Sequence, residues 1–194
     1  MDKNLIINCN PHDSVDTLRQ AEVGSHYLVI YPDIPTFRTI YSNYAKSELE
    51  EDNNELVVIL PCYETTYGVR RILSEVLDVK KHVREGSLMI LDSLKAYPDL
   101  GVSISPFAKR LLDRAINSGR SEVSIFGEMG SFYLINNNIQ RLIEYEYELS
   151  LPSKLADIKM KGFCLYHEKD FDQRFTQYQK ERLVEHHGKS LIVK

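Results

Sequence analysis

Ser121-Glu122-Val123-Ser124-Ile125-Phe126-Gly127-Glu128-Met129-Gly130 is an apolar, strand-ready run that ends in a glycine and a carboxylate. A strand that is apolar at nearly every position is buried on both faces, as in a parallel sheet covered by helices. In open sheets of that kind ligands bind outside the carboxyl ends of the strands. The run therefore puts Glu128 where a crevice is expected to open.

The same pattern recurs along the chain. His26-Tyr27-Leu28-Val29-Ile30-Tyr31, Glu55-Leu56-Val57-Val58-Ile59-Leu60, Ser87-Leu88-Met89-Ile90-Leu91-Asp92, residues 159–166 and Ser190-Leu191-Ile192-Val193 read as strands. Helical spacing of apolar residues fills the intervals at about residues 35–50, 65–77, 105–118, 133–149 and 171–184. Pro35 suits a first helical turn, Gly119 a left-handed C-cap, and Pro152 a stop. Strands alternating with helices predict the α/β class, as a three-layer αβα sandwich around a mostly parallel sheet. Residues 1–22, with Asn10-Pro11-His12-Asp13 as a turn signal, read as an extension leading into one domain over residues 23–194.

With 194 residues the chain is long enough for one domain with a substantial core. A net charge of -4 leaves no dominant basic face and argues against direct nucleic-acid binding. No apolar run is long enough to span a bilayer, and the N-terminal residues lack a signal-peptide layout. Cys9, Cys62 and Cys164 are far apart and form no CxxC pair. They fit a reducing compartment, so a cytoplasmic protein is expected.

A phosphate site would need a glycine-rich turn between the first strand and its helix. Here that turn is Tyr31-Pro32-Asp33-Ile34-Pro35, with two prolines, no glycine and an acidic residue. ATP hydrolysis of the P-loop kind is therefore not expected. The expected ligand pocket is lined by Tyr31, Cys62, Tyr63, Glu128, Tyr166 and His167, all at or just after strand ends. Glu128 supplies the polar anchor; helix capping or ion pairing is its competing role. Tyrosine rings with a polar tip make the walls. Cys62, His167 and Glu128 could in principle converge on a metal, but no ligand spacing supports it, and neither a metal nor a cofactor is assigned. There is no Gly-x-Ser-x-Gly elbow, no catalytic residue is assigned, and the chain is not expected to be an enzyme. His26, at the far end of its strand, reads as structural. In Glu144-Tyr145-Glu146-Tyr147-Glu148, Glu144 and Glu148 share one helix face, which suits an exposed helix or a subunit contact.

Several of these stretches together resemble the MEDS family, the sensory domain of methanogen and methylotroph proteins and of the dichloromethane-responsive repressor. The residues that carry the likeness are His26 to Asp33, Leu56 to Pro61, Val123 to Met129, Leu142-Ile143-Glu144-Tyr145-Glu146, Cys164-Leu165-Tyr166 followed by Phe171, and His186-His187 before the last strand. The resemblance implies a RecA/KaiC-like sandwich without a working phosphate loop, and a role in sensing small organic molecules such as hydrocarbon derivatives. It places the family's functional positions at His26, Glu128, Glu144, Cys164 and Tyr166. His167 departs from it, where an acidic residue would follow Tyr166.

The expected function is a sensory or regulatory module that binds a small organic ligand at the carboxyl edge of the sheet. Its output would pass through a signalling or transcription-regulator partner, or across a homo-oligomer. The alternatives are a non-catalytic interaction scaffold derived from a RecA-like ATPase, and a hydrolytic or metal-dependent enzyme built on Glu128 with His167 or Cys62.

Overall fold

The computed structural model describes residues 5–51, 54–97, 105–134, 137–151, 154–157 and 159–194. Seven strands form one sheet: β1 (Leu5–Cys9), β2 (His26–Tyr31), β3 (Glu55–Leu60), β4 (Leu88–Ile90), β5 (Glu122–Glu128), β6 (Met160–His167) and β7 (Lys189–Val193). Their order across the sheet is β1-β7-β2-β6-β5-β3-β4, and every neighbouring pair is parallel.

Side chains alternate across the pleat. Tyr27, Val29 and Tyr31 of β2, Phe126 of β5, and Phe163 and Leu165 of β6 face one helical layer. That layer holds α1 (Pro11–Arg19), α2 (Ile34–Glu50), α3 (Thr66–Leu73) and α4 (Val79–Arg84). Leu28, Ile30, Val123, Ile125, Cys164 and Tyr166 face the other. The second layer is built from α6 (Ser105–Asn117), α7 (Gly130–Leu134), α8 (Ile139–Ser150), α10 (Glu168–Arg174) and α11 (Gln177–Glu185). Two short helices, α5 (Ser93–Ala96) and α9 (Lys154–Asp157), lie in connections. None of the described helices is long and apolar enough to cross a membrane.

The α/β sandwich predicted from the sequence is the observed one, with local differences. The stretch expected as an extension carries regular structure: Leu5–Cys9 pairs with β7 at the sheet edge, and α1 packs Val15 and Leu18 into the core. Leu5 and Ile6 are half exposed there, so the strand lacks the doubly buried pattern of its neighbours. The long helix expected at 133–149 is two helices, interrupted where Asn137 adopts a left-handed φ of 45°. Gly119 has the expected positive φ, 79°. Pro152 lies outside the described residues.

The helix expected at 171–184 is also two. Thr176 begins the second with a capping box: its hydroxyl accepts from Gln179 N, and the Gln179 side chain accepts from Thr176 N. Thr176→Ala is expected to cost about 1 kcal/mol in urea unfolding, because one reciprocal cap bond is lost and a helix N-terminal amide is left to water. An unchanged midpoint would show that packing of Leu183 alone holds α11.

Candidate functional site

The chain leaves β2 for β3 on one side and leaves β6 for β7 on the other, so the order reverses between β2 and β6. Crevices of open α/β sheets form at such a point, outside the carboxyl ends of the strands. Tyr31 and His167 are the paired terminal residues of those two strands. The N-terminus of α2 opens beside them, and it is closed to phosphate. Asp33 caps its own helix, accepting from Thr36 N at 2.8 Å, and Pro35 offers no amide.

Glu128 ends β5, the strand next to β6, and is fully buried. Its carboxylate accepts from the Tyr31 hydroxyl, from Cys62 N, and from Tyr63 N at 3.1 Å. The loop after β3 can lie this close because residue 130 is glycine. A Cβ there would stand 2.9 Å from Cys62 Sγ and 3.0 Å from the Tyr63 ring. Burial pushes the Glu128 carboxyl up, and its three donors oppose that. The Cys62 thiol is pushed up to about 12 by burial and then by Glu128, so it is not an activated nucleophile.

Tyr63 continues the network outward. Its hydroxyl donates to Asp170 Oδ2 and lies 3.5 Å from the Tyr133 hydroxyl. Arg174 Nε donates to Asp170 at 2.8 Å, and its guanidinium stacks over the Tyr133 ring. Burial pushes Asp170 up, but Tyr63 and Arg174 outweigh it and hold the carboxyl below its usual range. The His167 ring meets Tyr31 edge-on at 5.4 Å and lies 5.6 Å from Tyr63. Its Nδ1 is buried without a hydrogen-bond partner. Tyr31, Cys62, Tyr63, Glu128 and His167 are thus brought together.

Tyr166 is not part of this group, contrary to the expectation. It precedes His167, so the pleat sends its ring to the opposite face, where its hydroxyl donates to Glu146 Oε1. Glu128 is likewise not a free anchor: its own chain supplies donors to both carboxylate oxygens.

Tyr166 marks a second polar cluster, fully inside the protein. His26 from the start of β2, Glu146 from α8, Cys164 from β6 and His187 from the turn into β7 point into one space, their donor atoms all within 4.8 Å of one another. His26 Nε2 lies 3.1 Å from Glu146 Oε2 and 3.3 Å from Cys164 Sγ. Cys164 Sγ lies 3.3 Å and His187 Nε2 3.4 Å from the same Glu146 oxygen. The two imidazoles stack with centroids 4.0 Å apart. Burial pushes the Cys164 thiol well up, with Glu146 adding to it. Burial also raises Glu146, but His187 and His26 outweigh it and hold the carboxyl well below its usual range.

Glu144, carried over by resemblance, lies outside both clusters: it is exposed and pairs with Arg141 at 3.6 Å and with Gln140. Glu146 was legible. Leu142, Tyr145 and Leu149 form the buried stripe of α8, and Glu146 falls four residues after the first and three before the last. A carboxylate inside an apolar stripe needs a buried partner.

The family whose pattern matches is MEDS (MEthanogen/methylotroph, DcmR Sensory domain), over residues 25–187. The chain belongs to this family. The match takes in both clusters of the MEDS domain, from His26 at its start to His187 at its end. Among solved structures the domain is similar to a KaiC-like protein from the hyperthermophilic archaeon Pyrococcus horikoshii, with a TM-score of 0.57 and 16% identity over 83% of this chain and 69% of the other. That likeness establishes a RecA/KaiC-like fold. No curated protein matches the sequence. A sensory or regulatory role follows from the family.

Proposed function

We propose that this MEDS domain senses a small organic molecule at the crevice between the carboxyl ends of β2 and β6, and passes the signal to a partner protein or a second copy. The observation that carries the reading is His167: its Nδ1 is buried and unpartnered at the point where the strand order reverses. A buried polar atom with no partner costs free energy that a ligand group can recover. Tyr31, Tyr63 and Tyr133 supply aromatic walls, and Asp170 a carboxylate beside them. Capped by Asp33, the α2 N-terminus selects against phosphorylated ligands. The high thiol pKa of Cys62 supports a binding role over a catalytic one.

The test is native mass spectrometry and thermal shift of the purified protein against small alcohols, aldehydes, carboxylic acids and halogenated alkanes. A retained class of molecule is expected, with affinity falling at least tenfold in His167→Phe while the fold is kept, as one lost ligand hydrogen bond implies. Binding that is indifferent to His167 would defeat the assignment. A second reading, a protein-interaction scaffold, has one observation in its favour: donors from the protein itself already occupy both oxygens of Glu128. It is supported instead if no molecule in the panel is retained.

A further inference from the structure

The cluster around Glu146 has too few protons for its acceptors. His26 Nδ1 lies 3.0 Å from the His186 carbonyl oxygen, and His187 Nδ1 lies 2.6 Å from the Leu183 carbonyl oxygen. A carbonyl only accepts, so each Nδ1 carries the hydrogen. Unless a further positive charge enters the space, each ring has this one proton, and both Nε2 atoms are bare lone pairs facing Glu146 Oε2. His187 Nε2 is completely buried, 3.4 Å from that oxygen, with no well-aligned hydrogen-bond partner. The other Glu146 oxygen is taken by Tyr166. Within the space itself the Cys164 thiol is then the sole donor for two imidazole nitrogens and a carboxylate oxygen.

A cation removes the conflict. Four-coordinate zinc has bonds of about 2.0–2.3 Å, so neighbouring ligand atoms stand about 3.3–3.8 Å apart. Four of the ligand-to-ligand distances here are 3.1, 3.3, 3.3 and 3.4 Å. The outer shell is also in place: ligating histidines bond their second nitrogen to a carbonyl, and ligating carboxylates are themselves hydrogen-bonded. Both features are present, through His186 O, Leu183 O and the Tyr166 hydroxyl.

We propose that His26, Glu146, Cys164 and His187 form a closed site for one divalent transition-metal ion, with zinc the ion best suited to two nitrogens, one thiolate and one carboxylate oxygen. Binding replaces the Cys164 S–H bond by a sulfur–metal bond and releases that proton to solvent. Four protein ligands and full burial leave no open position, so the site is structural. The ion ties α8 to β2, β6 and the start of β7. This assignment stands independently of the ligand crevice, which opens at the carboxyl ends of β2 and β6, whereas His26 stands at the start of β2.

The whole protein, stripped with chelator and titrated with Zn2+, is expected to take up one ion per chain by elemental analysis. Its Tm is expected to rise by about 10 °C at free zinc a thousandfold above Kd. With Co2+ as probe, a near-ultraviolet thiolate-to-cobalt band is expected in the wild type, and its loss in Cys164→Ser. The wild-type band reports thiolate ligation even if a variant fails to fold. An absence of stoichiometric uptake with an unchanged Tm, or uptake without the thiolate band, overturns the proposal.

Discussion

Phe163→Ala is expected to lower the free energy of unfolding by about 3–5 kcal/mol. Phe163 is almost completely buried on β6, with β2 on one side and β5 on the other. Its ring lies 4.9 Å from Phe126, 5.7 Å from Tyr44 and 6.0 Å from Tyr27, so one side chain joins three strands and α2. Tilted ring pairs at these separations add about 0.5–1.5 kcal/mol each beyond the area they bury. The cavity cannot close, because the flanking strands are held at fixed spacing by their ladders. Urea unfolding should show a lower midpoint at unchanged slope. A loss under about 1 kcal/mol would mean that the ring cluster does not bind the layers together.

Glu128→Ala is expected to cost a similar amount, about 3–5 kcal/mol, whereas Glu128→Gln is expected to cost about 1 kcal/mol. Alanine leaves the Tyr31 hydroxyl and the amides of Cys62 and Tyr63 facing a void. Glutamine keeps an oxygen for the two amides, and the Tyr31 hydroxyl can turn to accept from its NH2 group. The pair also separates in its pH dependence. Burial raises the folded-state pKa of Glu128, so its stabilising contribution is complete below the ordinary carboxylate value and is lost as pH rises through the folded one. That component disappears in Glu128→Gln, leaving a flatter profile on the acid side of neutrality. Equal losses in the two variants would show that side-chain volume, not hydrogen bonding, is what the site requires.

The strands were legible because burial on both faces writes an apolar run, unbroken from Leu56 to Leu60 and broken only by Ser124 from Val123 to Phe126. The N-terminal strand escaped notice for the converse reason: half-exposed Leu5 and Ile6 beside Asn8 look like a tail, and only pairing with β7, nearly the whole chain away, makes them a strand. The two helix breaks turned on single residues, Asn137 and Thr176, whose backbone roles outweigh a continuous apolar period. The expected pocket took in Tyr166 beside Tyr31, Glu128 and His167, and the pleat divides them. Tyr31, Glu128 and His167 point to one layer, and Tyr166 to the other, with His26 and Cys164. Counting parity along β6 separates Tyr166 from His167 without any coordinates. The partnership of His187 with His26 has no such signal, since residues so distant in sequence meet only through the strand order.

That order also constrains how the molecule is made. β7 is inserted between β1 and β2, so these two strands, consecutive in the chain, are never each other's neighbours. Each keeps an unpaired backbone edge until residues 189–193 have been synthesised. β2 through β6 can zip together earlier, but the apolar flank of β2 stays uncovered throughout elongation. Nascent chains of this protein should therefore depend on holding chaperones during translation more than helical proteins of the same size do.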